Sequence, residues 1–123
     1  MSWMSQGFQD LITASAEGNL PKVKTLLEKK VNPNDDYGAP RGWSPLMSAA
    51  YHGHLEVVKL LVKHHARLDA VEVDGWLTAL DLAIMNKKDD VVSYLKAVHA
   101  PLGKNVPNPH RGGKLGGWVS DER

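Results

Sequence analysis

Gly42-Trp43-Ser44-Pro45-Leu46-Met47-Ser48-Ala49-Ala50-Tyr51-His52-Gly53-His54-Leu55-Glu56-Val57-Val58-Lys59-Leu60-Leu61 decides the fold, because its parts return on either side. Downstream, Gly75-Trp76-Leu77-Thr78-Ala79-Leu80 leads into Leu82-Ala83-Ile84 and then Val91-Val92-Ser93-Tyr94-Leu95. Upstream, Leu11-Ile12-Thr13-Ala14-Ser15-Ala16-Glu17-Gly18-Asn19-Leu20 leads into Val23-Lys24-Thr25-Leu26-Leu27. Trp43 and Trp76 lie 33 residues apart, Leu46 and Leu80 34, and Gly18 and Gly53 35. The surplus residues fit the loop at 35–41 and a single insertion, Leu77. A unit of this length cannot bury its own apolar face, so it has to stack on its neighbours.

Each unit reads as two short helices. The spacing predicts helices over 8–16 and 20–29, 45–52 and 55–64, and 79–86 and 89–98. Gly18 suits a left-handed helix end, Asn19 a cap, and Pro21 a first turn where a missing N–H is harmless. Ser44 followed by Pro45 is a strong start signal. Thr78 with Asp81 three residues on has the form of a capping box. Leu46, Ala49 and Ala50 are expected in the core, the alanines allowing close helix approach. Val57, Val58, Leu60, Leu61, Val91, Val92 and Leu95 recur at helical spacing and are expected to face the adjacent pair.

Ser44-Pro45-Leu46-Met47, Ala49-Ala50, Gly53-His54 and Glu56-Val57-Val58-Lys59-Leu60-Leu61 resemble the ankyrin-repeat family, as do the unit ends Val31-Asn32-Pro33-Asn34 and Ala66-Arg67-Leu68-Asp69. The resemblance covers residues 8–103. It implies an all-α solenoid of three helix-turn-helix pairs with extended turns, with repeats at about 8–34, 35–69 and 70–103, inside a domain at 1–103. Two departures bear on the turns. The family's His after Pro-Leu is Met47 in the middle repeat and Asp81 in the third, which implies less tightly fixed turns. The family's Gly is Lys87 in the third repeat, where a left-handed backbone costs a residue with a Cβ.

Residues 104–123 form a Gly/Pro-rich, non-helical tail. Its Gly116-Gly117-Trp118-Val119-Ser120 echoes Gly75-Trp76-Leu77-Thr78, like the opening of a fourth repeat. Trp118 is expected to fold back as a cap or to bind a partner in extended form, with plain disorder of the tail as the third alternative. Trp3, Met4 and Phe8 are expected to cover the open edge of the first pair.

Composition narrows the functional classes. At 123 residues there is room for one domain. No apolar run reaches the roughly 18 residues of a membrane span, and no secretory signal is visible, so an intracellular, cytoplasmic location is expected. Without cysteine, disulfides and thiol catalysis are excluded. The net charge of +1 gives no general pull toward nucleic acid. Lys22, Lys24, Lys29 and Lys30 read as a solvated outer face, and the single Arg111-Gly112-Gly113 is a weak signal.

Six histidines raise the question of a metal, but His52/His54 and His64/His65 lack the i, i+4 spacing that puts two rings on one helix face. The pairs Asp35-Asp36 and Asp89-Asp90 sit beside a turn and a helix start, where carboxylates stabilise backbone N–H groups. Gly112-Gly113-Lys114 is not a phosphate-cradling loop. No catalytic set, cofactor or metal site is expected, and an enzyme is not.

The resemblance implies a non-catalytic adaptor that binds another protein through the concave face and turn tips. Carried over, the contact positions are Pro40, Arg41, Trp43, Tyr51 and His52 in the middle repeat. In the third they are Val73, Asp74, Trp76, Met85 and Asn86, with Ala16 and Glu17 extending the groove and Trp118 added by the tail. Trp, Tyr and Arg are enriched at binding hot spots. Trp43 and Trp76 either stand open for a partner or pack on each other. The alternative is a small accessory subunit of a larger assembly, anchored by tail and N-terminus.

Overall fold

The computed structural model describes residues 6–34, 42–72 and 75–107. Among them are six α-helices: α1 (Gln6–Glu17), α2 (Leu20–Glu28), α3 (Pro45–Tyr51), α4 (Leu55–Lys63), α5 (Ala79–Met85) and α6 (Asp89–Ala97), followed by a 3-10 turn, Gly103–Asn105. Each expected helix is present within two residues of its expected ends. Trp3, Met4 and Trp118 lie outside the described residues; Phe8 is buried.

The helices start and stop for local reasons. Asn19 accepts the Lys22 N–H at 3.2 Å, and Ser44 accepts that of Met47 at 3.2 Å. Each of these bonds satisfies a donor that the first helical turn leaves without an internal partner. Within each pair the inner helix ends on a left-handed residue: Gly18 at φ 72°, Gly53 at 75°, Lys87 at 57°. The outer helices end the same way on Lys30, His65 and His99, at φ 65–70°.

Among the described residues the main packing runs between neighbours. Inner helices α1, α3 and α5 form one layer and α2, α4 and α6 the other, each touching its counterpart in the next repeat. The core lies between the layers: Leu11, Ala14, Leu46, Ala49, Ala50, Leu80 and Ala83 from the inner helices, and Val23, Leu27, Val57, Val58, Leu61, Val91 and Leu95 from the outer. Residues Pro45 through Ala50 are all buried, so α3 is covered along nearly its whole length. Leu60 and Val92, expected in the core, are only half-buried at its margin.

Polar bonds cross the repeat boundaries. The Asn34 amide donates to the His65 carbonyl at 2.8 Å and accepts the Arg67 N–H at 2.8 Å. One repeat on, Asp69 cannot copy this, since a carboxylate has no donor; it takes the Arg67 guanidinium at 3.2 Å instead. The His54 Nε2 lies 3.0 Å from the Ala16 carbonyl oxygen, and the Asn86 amide donates to that of Tyr51 at 2.7 Å.

The expectation of loose turns at Met47 and Asp81 is corrected. The Met47 sulfur accepts the Ser44 N–H at 3.5 Å, closing a box with the Ser44 hydroxyl. Asp81 does more than a cap requires: Oδ2 accepts the Thr78 N–H at 2.9 Å and the Gly103 N–H at 2.7 Å. The fully buried Thr78 hydroxyl donates to the Pro101 carbonyl at 2.8 Å. A negatively charged acceptor fixes the turn and also draws the chain after α6 onto it. At Gly103 the approach is so close that a Cβ would overlap the Trp76 carbonyl oxygen.

Two outcomes follow from these backbone constraints. Lys87→Gly removes the left-handed penalty and should raise stability by about 1 kcal/mol in urea unfolding. Asp81→Ala leaves two N–H groups without their acceptor and should cost roughly 2 kcal/mol. Amide exchange at Gly103 should accelerate in the same variant.

Candidate partner-binding face

The inner helices end on one side of the stack, and the expected contact residues gather there unequally. Trp43 is half-buried with its ring centroid 4.9 Å from that of Tyr51, edge-on at 64°. Tyr51 meets His52 at 5.3 Å and 90°, and His52 stacks on His54 at 6.1 Å and 27°. Trp43, Tyr51, His52 and His54 therefore form a continuous run of rings over the end of α3. His54 is anchored by the Ala16 carbonyl; His52 is exposed. Glu17, at the matching end of α1, is exposed, while Ala16 is half-buried.

At the end of α5, Met85 is 60% exposed and Ile84 43%, the two large apolar side chains that stand out among the described residues. Asn86 is half-buried, and its bond to the Tyr51 carbonyl ties the α5 end to the ring cluster. Pro40, Arg41, Val73, Asp74 and Trp118 lie outside the described residues.

Trp76 departs from the expectation of an open ring at a turn tip. It is only 9% exposed, and its indole N–H donates to the Val106 carbonyl at 3.1 Å. Its backbone is left-handed at φ 58°, a conformation a bulky residue adopts only when the surroundings impose it. Glu72 is one such constraint. Its buried carboxylate accepts the N–H groups of Gly75 at 2.6 Å and Leu77 at 3.2 Å, while its backbone pairs with Leu77 and Trp76. Trp76 therefore faces residues 101–106, while Trp43 faces Tyr51.

Sequence reading missed Glu72 and Ile84. Glu72 gave no signal beyond an acidic residue near a Gly, since its role depends on burial. Ile84 was legible by register: it occupies the position of Ser15 and Ala50, both fully buried under the next repeat.

The arrangement offers shape and apolar surface rather than reactive groups. Among the described residues no group of three or more His, Cys, Asp or Glu side chains could hold a metal ion. No helix among them is long and apolar enough to cross a membrane.

Comparison with known proteins agrees with this architecture. A family model described as ankyrin repeats, in three copies, matches residues 11–106. The mouse ankyrin repeat and SAM domain-containing protein 6 is 35% identical over 108 residues, which is 85% of this chain and 12% of that protein. The human Notch-regulated ankyrin repeat-containing protein is 36% identical over 95 residues, 74% of this chain and 82% of that protein. A zebrafish relative of the latter, form B, is 36% identical over 84 residues, 67% of this chain and 75% of its own length. The chain thus spans a small part of the SAM-domain relatives and most of the Notch-regulated ones. With three stacked helix pairs, their shared turn chemistry and a family match across nearly all the described residues, the chain belongs to the ankyrin-repeat family.

Proposed function

We propose that the chain is a non-catalytic adaptor whose protein partner lies along the inner-helix ends and turn tips. Ankyrin repeats generally mediate protein–protein interaction, and the family is typically non-catalytic. The observation that carries the finer reading is the exposed Met85, adjacent in the chain to the Asn86 that bonds Tyr51, together with the ring run of Trp43, Tyr51 and His52. Exposed apolar atoms next to half-open aromatic rings supply large contact area at low side-chain entropy cost. His52, Met85 and the open edges of Trp43 and Tyr51 form the centre of the proposed contact, with Asn86 at its margin. Arg41, Val73, Asp74 and Trp118, outside the described residues, are kept as proposed contact residues on the family resemblance alone. In this reading Trp76 acts indirectly, by holding the third turn against residues 101–106.

A second reading, a fixed subunit of a larger assembly, draws on Ile84. The same position is covered in the first two repeats and open in the third. A subunit of this kind should aggregate when expressed alone, whereas an adaptor should stay monomeric at high concentration.

The test follows from the burial pattern. Trp76→Ala would mix folding with binding, so His52→Ala with Met85→Ala is the cleaner pair. Quantitative pull-down from the source cells should show a partner whose recovery falls about tenfold or more with the double variant. Far-ultraviolet circular dichroism should be unchanged. A partner set retained in full would move the contact off this face.

A further inference from the structure

The outer helices carry a second feature that the inner-face reading does not use. Leu20 and Lys24, one turn apart on α2, face a stripe of Glu56, Lys59, Leu60 and Lys63 on α4. The i, i+3, i+4 and i+7 spacing of that stripe puts all four on one side of the helix. Between the two helices lies an open trough of about 250 Å³ lined by these six residues. Leu20 and Leu60 are half-buried against the core, so the floor is apolar and the rim is charged.

The corresponding seam between α4 and α6 provides an internal comparison. There the corresponding residues are Leu55 and Lys59 on α4, against Asp90, Ser93, Tyr94 and Ala97 on α6. Tyr94 stands where Leu60 stands one repeat earlier, and the Lys59 ammonium lies 5.9 Å from its ring centroid. A larger side chain and a mixed pair of charges thus replace the open floor and the lysines. In the first trough, three lysines oppose one carboxylate. Lys59 is 3.7 Å from Glu56, and among the described residues Lys24 and Lys63 make no ion pair.

We propose that the trough between α2 and α4 is a second docking site, which takes an acidic, leucine-bearing segment of another protein. Charge complementarity selects the occupant. The exposed ammonium groups of Lys24 and Lys63 at the rim attract carboxylates, while the leucine floor accepts one or two aliphatic side chains. This is the apolar centre and polar rim of a protein contact. A nucleic-acid backbone would satisfy the lysines but leave Leu20 and Leu60 without a partner, whereas the leucines of a peptide cover them. Because the rim is exposed, the attraction is screened by salt, and the site is of the weak, reversible kind.

The probe is a fluorescein-labelled peptide of about 15 residues with two leucines four apart and glutamates on either side. It is titrated with the full chain and followed by anisotropy. Saturable binding is expected. Lys24→Glu with Lys63→Glu should weaken it about tenfold or more, and a peptide with lysines in place of glutamates should bind that variant better than the wild type. The His52→Ala/Met85→Ala variant should bind the probe normally, which separates this site from the inner face. No binding at millimolar concentration overturns the proposal. So does equal binding of a peptide with serine in place of both leucines, or equal binding of heparin or of phosphatidylserine vesicles, since any of these makes the face a general anion surface. Circular dichroism of each variant verifies that the fold is intact.

Discussion

The distance to which α3 can approach the helices on either side governs the rest of the molecule. Leu46, Ala49 and Ala50 are essentially without solvent contact, and Ala83 repeats the pattern on α5. The alanines at these places let the inner helices approach one another closely. That closeness brings a side chain of one repeat within reach of a carbonyl at the helix end of the one before. His54 reaches Ala16, and Asn86 reaches Tyr51. A helix end leaves its last carbonyls without internal partners, so these bonds satisfy an acceptor and set the register of the stack at once. The run of rings over α3 follows from this arrangement, because His54 is fixed first and His52, Tyr51 and Trp43 are arrayed along from it.

The third repeat has no further pair among the described residues, and its end is built differently. Where a fourth repeat would lie over α5, Ile84 remains partly open. The turn before α5 is covered by residues 101–106 through Thr78, Asp81 and Trp76. Asp81 gives up the family's imidazole at this position and gains an acceptor strong enough to serve its own helix and the chain after α6 together. Charge-assisted bonds of this kind are shorter and stronger than neutral ones, and the 2.7 Å contact with the Gly103 N–H is of that type.

Much of this was legible in the sequence. Periodicity and caps gave the six helices, and the alanines gave the inner layer, because both depend on neighbours only a few residues away. Lys87 was recognised as a left-handed position because it stands where the family pattern has Gly. The fate of Trp76 was not legible. Whether a tryptophan at a turn tip stays open depends on where residues thirty positions later run, and local pattern holds no record of that. Glu72 was hidden for a related reason: a carboxylate that organises a turn and one that sits in solvent look alike until burial is known. Met47 and Asp81 show the opposite error, in which a departure from the family pattern was read as a loss although a different side chain supplied the missing bonds.

Stacks of this kind gain stability from nearest-neighbour interfaces, and this constrains where binding function can vary. The middle pair takes part in both interfaces, so a change in Leu46–Ala50 would be felt twice, and a change in either outer pair once. Positions free to diversify are those that touch neither interface. On α3 these begin only past its last turn, at His52; on α5 they begin at Met85. The outer helices offer a wider choice, since α2 and α4 meet along a narrow seam that leaves Lys24 and Lys63 exposed. The inner face is thus short, aromatic and coupled to the repeat boundary. The outer face is longer, basic along α2 and α4 but not along α6, and its exposed positions are almost uncoupled from the core. Substitution on the outer face can alter electrostatics at little cost to the stack, whereas on the inner face selectivity and stability have to be adjusted together.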